Sequence, residues 1–191
     1  MIGQLQGRLI EKYPTEIIID CAGVGYEVKI SLNSYSAIGT EESIKIYTKL
    51  IIREDAHILY GFHSKEEREM FNYLISVSGI GPNTAMIMLS SMVPEDIARA
   101  IQTEDVATIQ KIKGIGAKTA QRVIIDLKGK VLKLSEQAQN LFSANNTNRY
   151  DALTALVSLG FDKKAAEKAI ERVDTGNESV EFLIKEALKV L

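Results

Sequence analysis

Two short glycine motifs stand out in this sequence, Gly79-Ile80-Gly81 and Gly114-Ile115-Gly116, set 35 residues apart. Their flanks match as well. The first copy reads Leu74-Ile75-Ser76-Val77-Ser78-Gly79-Ile80-Gly81-Pro82-Asn83-Thr84-Ala85, and the second reads Ile109-Gln110-Lys111-Ile112-Lys113-Gly114-Ile115-Gly116-Ala117-Lys118-Thr119-Ala120. The shared frame is apolar, two spacers, apolar, one spacer, Gly-Ile-Gly, two spacers, Thr-Ala.

This spacing suits phosphate binding. A helix ends at the first glycine, which tolerates positive φ. The isoleucine turns inward and pins the hairpin. The second glycine lets a phosphate approach the backbone, and the next helix presents free N–H groups and its positive dipole end. Pro82 suits the first position of such a helix. Lys118 and Arg122 lie four apart on one helical face and flank the second motif. The predicted DNA contacts are Gly79, Ile80, Gly81, Asn83 and Thr84 in one hairpin. In the other they are Gly114, Ile115, Gly116, Lys118, Thr119 and Arg122.

A single Gly-Ile-Gly would read equally well as a tight interhelical turn; two matched copies favour DNA. A dinucleotide-binding loop is disfavoured, since there the glycines follow a strand and here they follow a helix. A Walker A motif is missing from the sequence, so ATP hydrolysis is not expected. The competing reading is a helix-hairpin-helix repair enzyme, a glycosylase or nuclease. Asp126 lies ten residues past Gly116, but no companion base is evident. A third reading, single-strand binding, suffers from few aromatic platforms.

Other elements must position these hairpins. Residues 1–63 read as β structure, with runs at 2–10, 15–21, 24–32, 44–52 and 57–62. Tyr13-Pro14, Ala22-Gly23 and Gly39-Thr40 supply turns. Five short antiparallel strands fit an OB-fold barrel, with a sandwich as runner-up. Ser64 and Glu67 then form a capping-box pattern that opens a helical domain over residues 64–133. Apolar positions recur at Met70, Phe71, Leu74 and Ile75, and again around Ala85 to Leu89. Pro94 starts a further helix around Ile97 and Ile101. Residues 134–148 are polar and aperiodic and read as a flexible linker, a frayed helix being the alternative for the first half. Residues 149–191 predict a three-helix, UBA-like domain, with helices over 149–159, 163–173 and 179–190. Gly160 would end the first of these and Asp162 cap the second. The fold class is α+β.

The net charge of −2 excludes a bulk polycation but not a nucleic-acid binder, because position matters more than total. Residues 109–133 hold seven basic residues (Lys111, Lys113, Lys118, Arg122, Lys128, Lys130 and Lys133) against Asp126 alone. The basic charge thus surrounds the second hairpin. Cys21 cannot form an internal disulfide, and it reads as core filler. Two separated histidines and one cysteine give no zinc spacing, so neither metal nor cofactor is expected. Without a long apolar run or signal-peptide pattern, a cytoplasmic protein is expected.

These residues resemble the RuvA family of Holliday-junction-binding proteins. The resemblance rests on Met1-Ile2-Gly3 with Gly7, Gly23-Val24-Gly25-Tyr26-Glu27-Val28, and Arg53-Glu54-Asp55-Ala56 with Leu59-Tyr60-Gly61-Phe62. Both hairpins and Ala155-Leu156-Val157-Ser158-Leu159-Gly160-Phe161 complete it. It implies a homotetramer on four-way junction DNA, with pairs of tetramers able to sandwich the junction. It also implies the hexameric ATPase RuvB and the resolvase RuvC as partners. Glu54 and Asp55 match the family's acidic pin, where carboxylates oppose phosphates at the junction centre. By composition they are only a charged turn. Leu156, Leu159, Phe161 and Leu188 resemble the motor-binding face, though they would equally fill a small core. Family members often carry lysine where Asn83 and Ala117 stand, and proline where Lys113 stands.

Overall fold

The computed structural model describes residues 1–39, 41–140, 144–176 and 178–191, with side chains described outside 132–147. It comprises two compact units, Met1–Leu132 and Lys133–Leu191.

In the first unit, strands β1 (Gln4–Lys12), β2 (Glu16–Cys21), β3 (Val24–Ile30), β4 (Ser43–Ile52) and β5 (His57–Phe62) close into a barrel in the order β1-β2-β3-β5-β4. Closure rules out the sandwich. Period-two alternation places Ile17, Ile19, Val28, Ile30 and Ile46 inside. The strands are not all antiparallel, because β3 and β5 pair in parallel through Lys29–Tyr60 and Ile30–Gly61. Parallel neighbours require a crossover, here supplied by helix α1 (Leu32–Ala37) and β4. Helix α1 occupies the end of the apolar run read as strand through residue 32. Ser31 caps it, its Oγ accepting from Ser34 N at 2.9 Å. Strand β1 wraps around the barrel with an irregularity between Leu9 and Glu11. It passes so close to β2 at Gly7 that a Cβ there would meet the Asp20 carbonyl oxygen at 2.1 Å.

Helices α2 (Lys65–Ile75), α3 (Pro82–Ser91), α4 (Pro94–Gln102), α5 (Val106–Gln110) and α6 (Ala117–Asn140) follow. Pro82 and Pro94 both sit in first turns, where a missing N–H costs nothing. Ser64 caps α2 as read, with Oγ accepting from Glu67 N at 3.1 Å. The reciprocal half of the capping box is displaced by one residue: the Glu67 carboxylate accepts from His63 N at 3.2 Å and also from the Ser31 and Ser34 hydroxyls. The barrel and these helices keep separate hydrophobic clusters within one compact unit. Phe71 of α2 lies 5.2 Å from Tyr60 and 4.9 Å from Phe62 between ring centroids. The outer face of β5 is therefore part of the helical core.

Helix α6 continues to Asn140 and α7 begins at Ala144. In the stretch 134–148, read as a flexible linker with a frayed helix as the alternative for its first half, the described backbone is helical at 134–140, in line with that alternative, and at 144–148; residues 141–143 lie outside the described residues. Glu136, Gln137, Ala138 and Gln139 are good helix formers, which the missing apolar period masked. In the second unit, α7 (Ala144–Ser158), α8 (Lys163–Val173) and α9 (Val180–Val190) pack around Ala152, Leu156, Ala166, Ile170 and Leu183. Gly160 ends α7 at φ 99°, with its N–H donating to Val157 O at 3.0 Å and that of Phe161 to Leu156 O at 3.2 Å. Asp162 caps α8 as expected, accepting from Ala165 N at 3.1 Å.

Candidate nucleic-acid interface

The two glycine motifs share the hydrogen bonds that close the hairpin and open the following helix. Ile80 N donates to Val77 O at 3.0 Å, and Ile115 N donates to Ile112 O at 3.1 Å. Ala85 N donates to Gly81 O at 3.0 Å, and Ala120 N donates to Gly116 O at 2.9 Å. Gly79 and Gly114 take φ of 95° and 89°. They do not end helices as expected, since α2 stops at Ile75 and α5 at Gln110, but occupy the third position of the turns Val77–Ile80 and Ile112–Ile115, where positive φ favours glycine. Ile80 and Ile115 are each only 5 % exposed, so both turn inward. Ala85 and Ala120 are fully buried and allow close helix packing.

The second glycine of each motif behaves differently from the first. Gly81 has φ −85° and ψ 169°, extended backbone open to any residue. Gly116 is likewise outside the left-handed region, and a Cβ on either would meet nothing within 4 Å. The fold places no demand for glycine at these positions. A ligand lying against the backbone would make such a demand.

The exposed rims of the hairpins differ in charge. Asn83 and Lys118 occupy equivalent exposed positions, with the half-buried Thr84 and Thr119 beside them. Asn83 is not a free rim group, since its Oδ1 accepts from the Tyr60 hydroxyl at 3.3 Å. Burial raises the Tyr60 hydroxyl above the usual phenol value, which keeps it a proton donor; nearby Arg53 partly offsets this. Around the second hairpin, Lys111, Lys113 and Lys118 are exposed and enter no ion pair among the described residues. The remaining described cations of that cluster are engaged. Lys128 pairs with Glu104, Lys130 Nζ donates to Ser76 Oγ at 3.2 Å, and Arg122 Nη1 donates to Ser78 O at 3.3 Å. Ser76 and Ser78 belong to the first motif, so α6 ties the two hairpins together. Lys133 lies outside the described side chains.

Glu54 and Asp55 sit at the tip of the loop between β4 and β5, which Arg53 N closes on Ala56 O at 2.8 Å. Both are exposed, and neither enters an ion pair among the described residues. In the second unit Leu159, Phe161 and Leu188 are exposed, whereas Leu156 is fully buried. Its membership of a contact face is corrected accordingly: Leu156 is core, held there by the inward stripe of α7. Cys21 is half-buried, with Sγ 3.3 Å from Gln6 O. Among the described residues there is no group of acidic, histidine or cysteine side chains that could hold a metal ion. No helix among them is long and apolar enough to cross a membrane.

Sequence reading missed α1 and the residues that clasp it, Ser31, Asn33 and Ser34. The available signal was a cap-type serine just after Ile30, where strand alternation stops.

A five-stranded barrel carrying a tandem helix-hairpin-helix unit and followed by a small helical bundle defines a class of DNA-binding protein. Comparison narrows the class. Residues 1–61 match the RuvA N terminal domain, residues 71–129 the SAM-like helix-hairpin-helix tandem, and residues 147–191 the RuvA C-terminal domain. The chain is 55% identical over 193 residues to the Holliday junction branch migration complex subunit RuvA of Flavobacterium psychrophilum, covering 100% of both chains. It is 51% identical to the namesake of Christiangramia forsetii and 48% identical to that of Cytophaga hutchinsonii, again over 100% of each chain. The chain belongs to the RuvA family.

Proposed function

We propose that this chain is a non-catalytic subunit that holds four-way DNA junctions during branch migration. The observation that carries the proposal is the pair Gly81 and Gly116. Both are glycines the fold does not need, at matched sites beside helix N-termini. The first-turn N–H groups of α3 and α6 receive one phosphate each, and Lys111, Lys113 and Lys118 add charge at the second. Of the other predicted contacts, Asn83, Thr84, Thr119 and Arg122 flank those phosphates.

Backbone contacts fix position without reading sequence. Selectivity for a junction therefore comes from an array of hairpins, which a homotetramer supplies, alone or paired as an octamer. Glu54 and Asp55 stand at its centre and repel phosphates there. Like charges 4 Å apart repel by about 1 kcal/mol in water, and by more where water is excluded. The second unit recruits the RuvB ATPase through Leu159, Phe161 and Leu188, and RuvC completes the set of partners. The names of the relatives support membership of a branch-migration complex.

The test is competition between a four-way junction and linear duplex of equal length in a gel-shift assay. The junction should win clearly. Equal affinity would refute the reading.

A further inference from the structure

The first helix-hairpin-helix motif, α2–turn–α3, has two ends remote from its hairpin: the start of α2 and the finish of α3. Helix α1 holds both. At the start of α2, Glu67 is 4% exposed and has no cationic partner among the described residues. Its Oε2 accepts from Ser34 Oγ at 2.5 Å and from His63 N at 3.2 Å, and its Oε1 accepts from Ser31 Oγ. A buried carboxylate is tolerated only when its oxygens are satisfied in this way. At the finish of α3, Asn33 Nδ2 donates to Leu89 O at 2.5 Å and Met92 O at 3.1 Å. Leu32 N donates to Ser90 Oγ at 3.1 Å. The two Asn33 bonds satisfy carbonyls of the kind that the end of a helix leaves open.

Helix α1 lies in the chain between β3 and β4, and β4 leads straight to the loop bearing Glu54 and Asp55. We infer that α1 is a positioning element for DNA recognition, with Asn33 and Glu67 as its positioning residues. It fixes the first hairpin in one orientation relative to the acidic loop. The inference rests on the junction-binding reading above. Geometry explains why a clasp at this end matters. Helix α2 is a lever of about 15 Å from Glu67 to its hairpin, so a tilt of about 10° moves the phosphate site by about 3 Å. That is the length of a hydrogen bond, enough to lose one. A single duplex arm follows such a shift by moving with the hairpin. A junction held at several hairpins and a centre cannot.

The experiment compares the full chain with Asn33→Ala, which removes the two side-chain bonds to Leu89 O and Met92 O and leaves the Leu32 backbone bond in place, and with Glu67→Gln. Junction affinity should fall about fivefold in Asn33→Ala while duplex affinity stays within about twofold. Glu67→Gln should act in the same direction; if it fails to fold, Asn33→Ala decides. A role in stability alone would lower the melting temperature and leave the junction-to-duplex ratio intact, and that result overturns the inference. The second readout uses no DNA: spin labels at Glu27→Cys and Ser78→Cys, in a Cys21→Ser background. Their distance distribution should broaden in Asn33→Ala, and an unchanged distribution also overturns the inference. Should the unmodified protein show no junction preference, the functional reading falls, and the label distances alone decide the clasp.

Discussion

Arg122 of α6 donates from Nη1 to the carbonyl oxygen of Ser78 at 3.3 Å, so a side chain set by the second hairpin reaches the backbone of the first. Lys130 repeats the link two turns on, at Ser76 Oγ. Arg122 thus has two roles open to it, a strut between hairpins and a phosphate ligand. They separate in the salt dependence of binding. A phosphate ligand contributes to counterion release, and its loss flattens the slope of log K against log salt by about 1. Arg122→Ala should weaken junction binding with that flattening. Weaker binding at unchanged slope would leave only the strut.

The two glycines of each hairpin should respond oppositely to substitution. Gly79 and Gly114 need positive φ, so Gly79→Ala or Gly114→Ala should destabilise the fold by about 1 kcal/mol or more. Gly81 and Gly116 have open space and ordinary backbone. Gly81→Ala with Gly116→Ala should keep the melting temperature and lose about tenfold or more in DNA affinity. Thermal melts beside binding isotherms check this. Binding that survives the double substitution would sink the hairpin mechanism.

Asn83 shows how a departure from the family pattern alters a grip. Its oxygen is held by Tyr60, a hydroxyl in the helical core, and so the first hairpin offers backbone rather than charge. Asn83→Lys should raise affinity for plain duplex and steepen the salt slope by about 1. It should also leave the Tyr60 hydroxyl without its partner. An unchanged slope would show that position 83 does not face the phosphate.

The second hairpin is approached through α5, whose cap gives a pH signature. The Asp105 carboxylate accepts from Thr108 Oγ1 at 2.6 Å and from Thr108 N at 3.0 Å. These bonds, the side-chain one foremost, hold it below the usual carboxylate range. Since the folded value is the depressed one, the stabilisation is complete above the ordinary aspartate value. It is lost as pH falls through the lower, folded value. Asp105→Ala should therefore melt earlier than the parent near neutrality, with the gap closing in acid. A gap independent of pH would contradict this account.

The hairpins were legible in the sequence because their physics is local. Positive φ, a buried isoleucine and a first-turn proline each demand a residue type at a fixed offset. Strand alternation likewise located the barrel. What escaped depends on contacts distant in sequence. The parallel pairing of β3 with β5 is imposed by barrel closure, and α1 is held by Glu67 and by the end of α3, residues far along the chain. Glu67 keeps the local bonds of a capping pattern, with Ser64 Oγ and His63 N, and its carboxylate also bonds across the fold to Ser31 and Ser34. In residues 134–148 the sequence offered helix propensity without amphipathic period, and propensity prevailed where the backbone is described.

The second unit supplies a prediction in which burial separates two outcomes. Leu156 fills a core of small residues, Ala152, Ala166 and Ala169 among them, so few neighbours could close a cavity. Leu156→Ala should cost about 2–5 kcal/mol, comparable with the whole stability of so small a unit. Circular dichroism of α7 to α9 should report its unfolding. Leu159 is 63 % exposed, and Phe161 and Leu188 are exposed beside their own helix ends. Leu159→Ala, Phe161→Ala and Leu188→Ala should therefore leave melting unchanged and weaken association with the RuvB motor, read by calorimetric titration or by loss of stimulated ATPase activity. Each truncation at a buried interface centre is expected to cost about 1–2 kcal/mol, or roughly five- to thirtyfold in affinity. Undiminished association in all three would place the motor contact on another face of the unit.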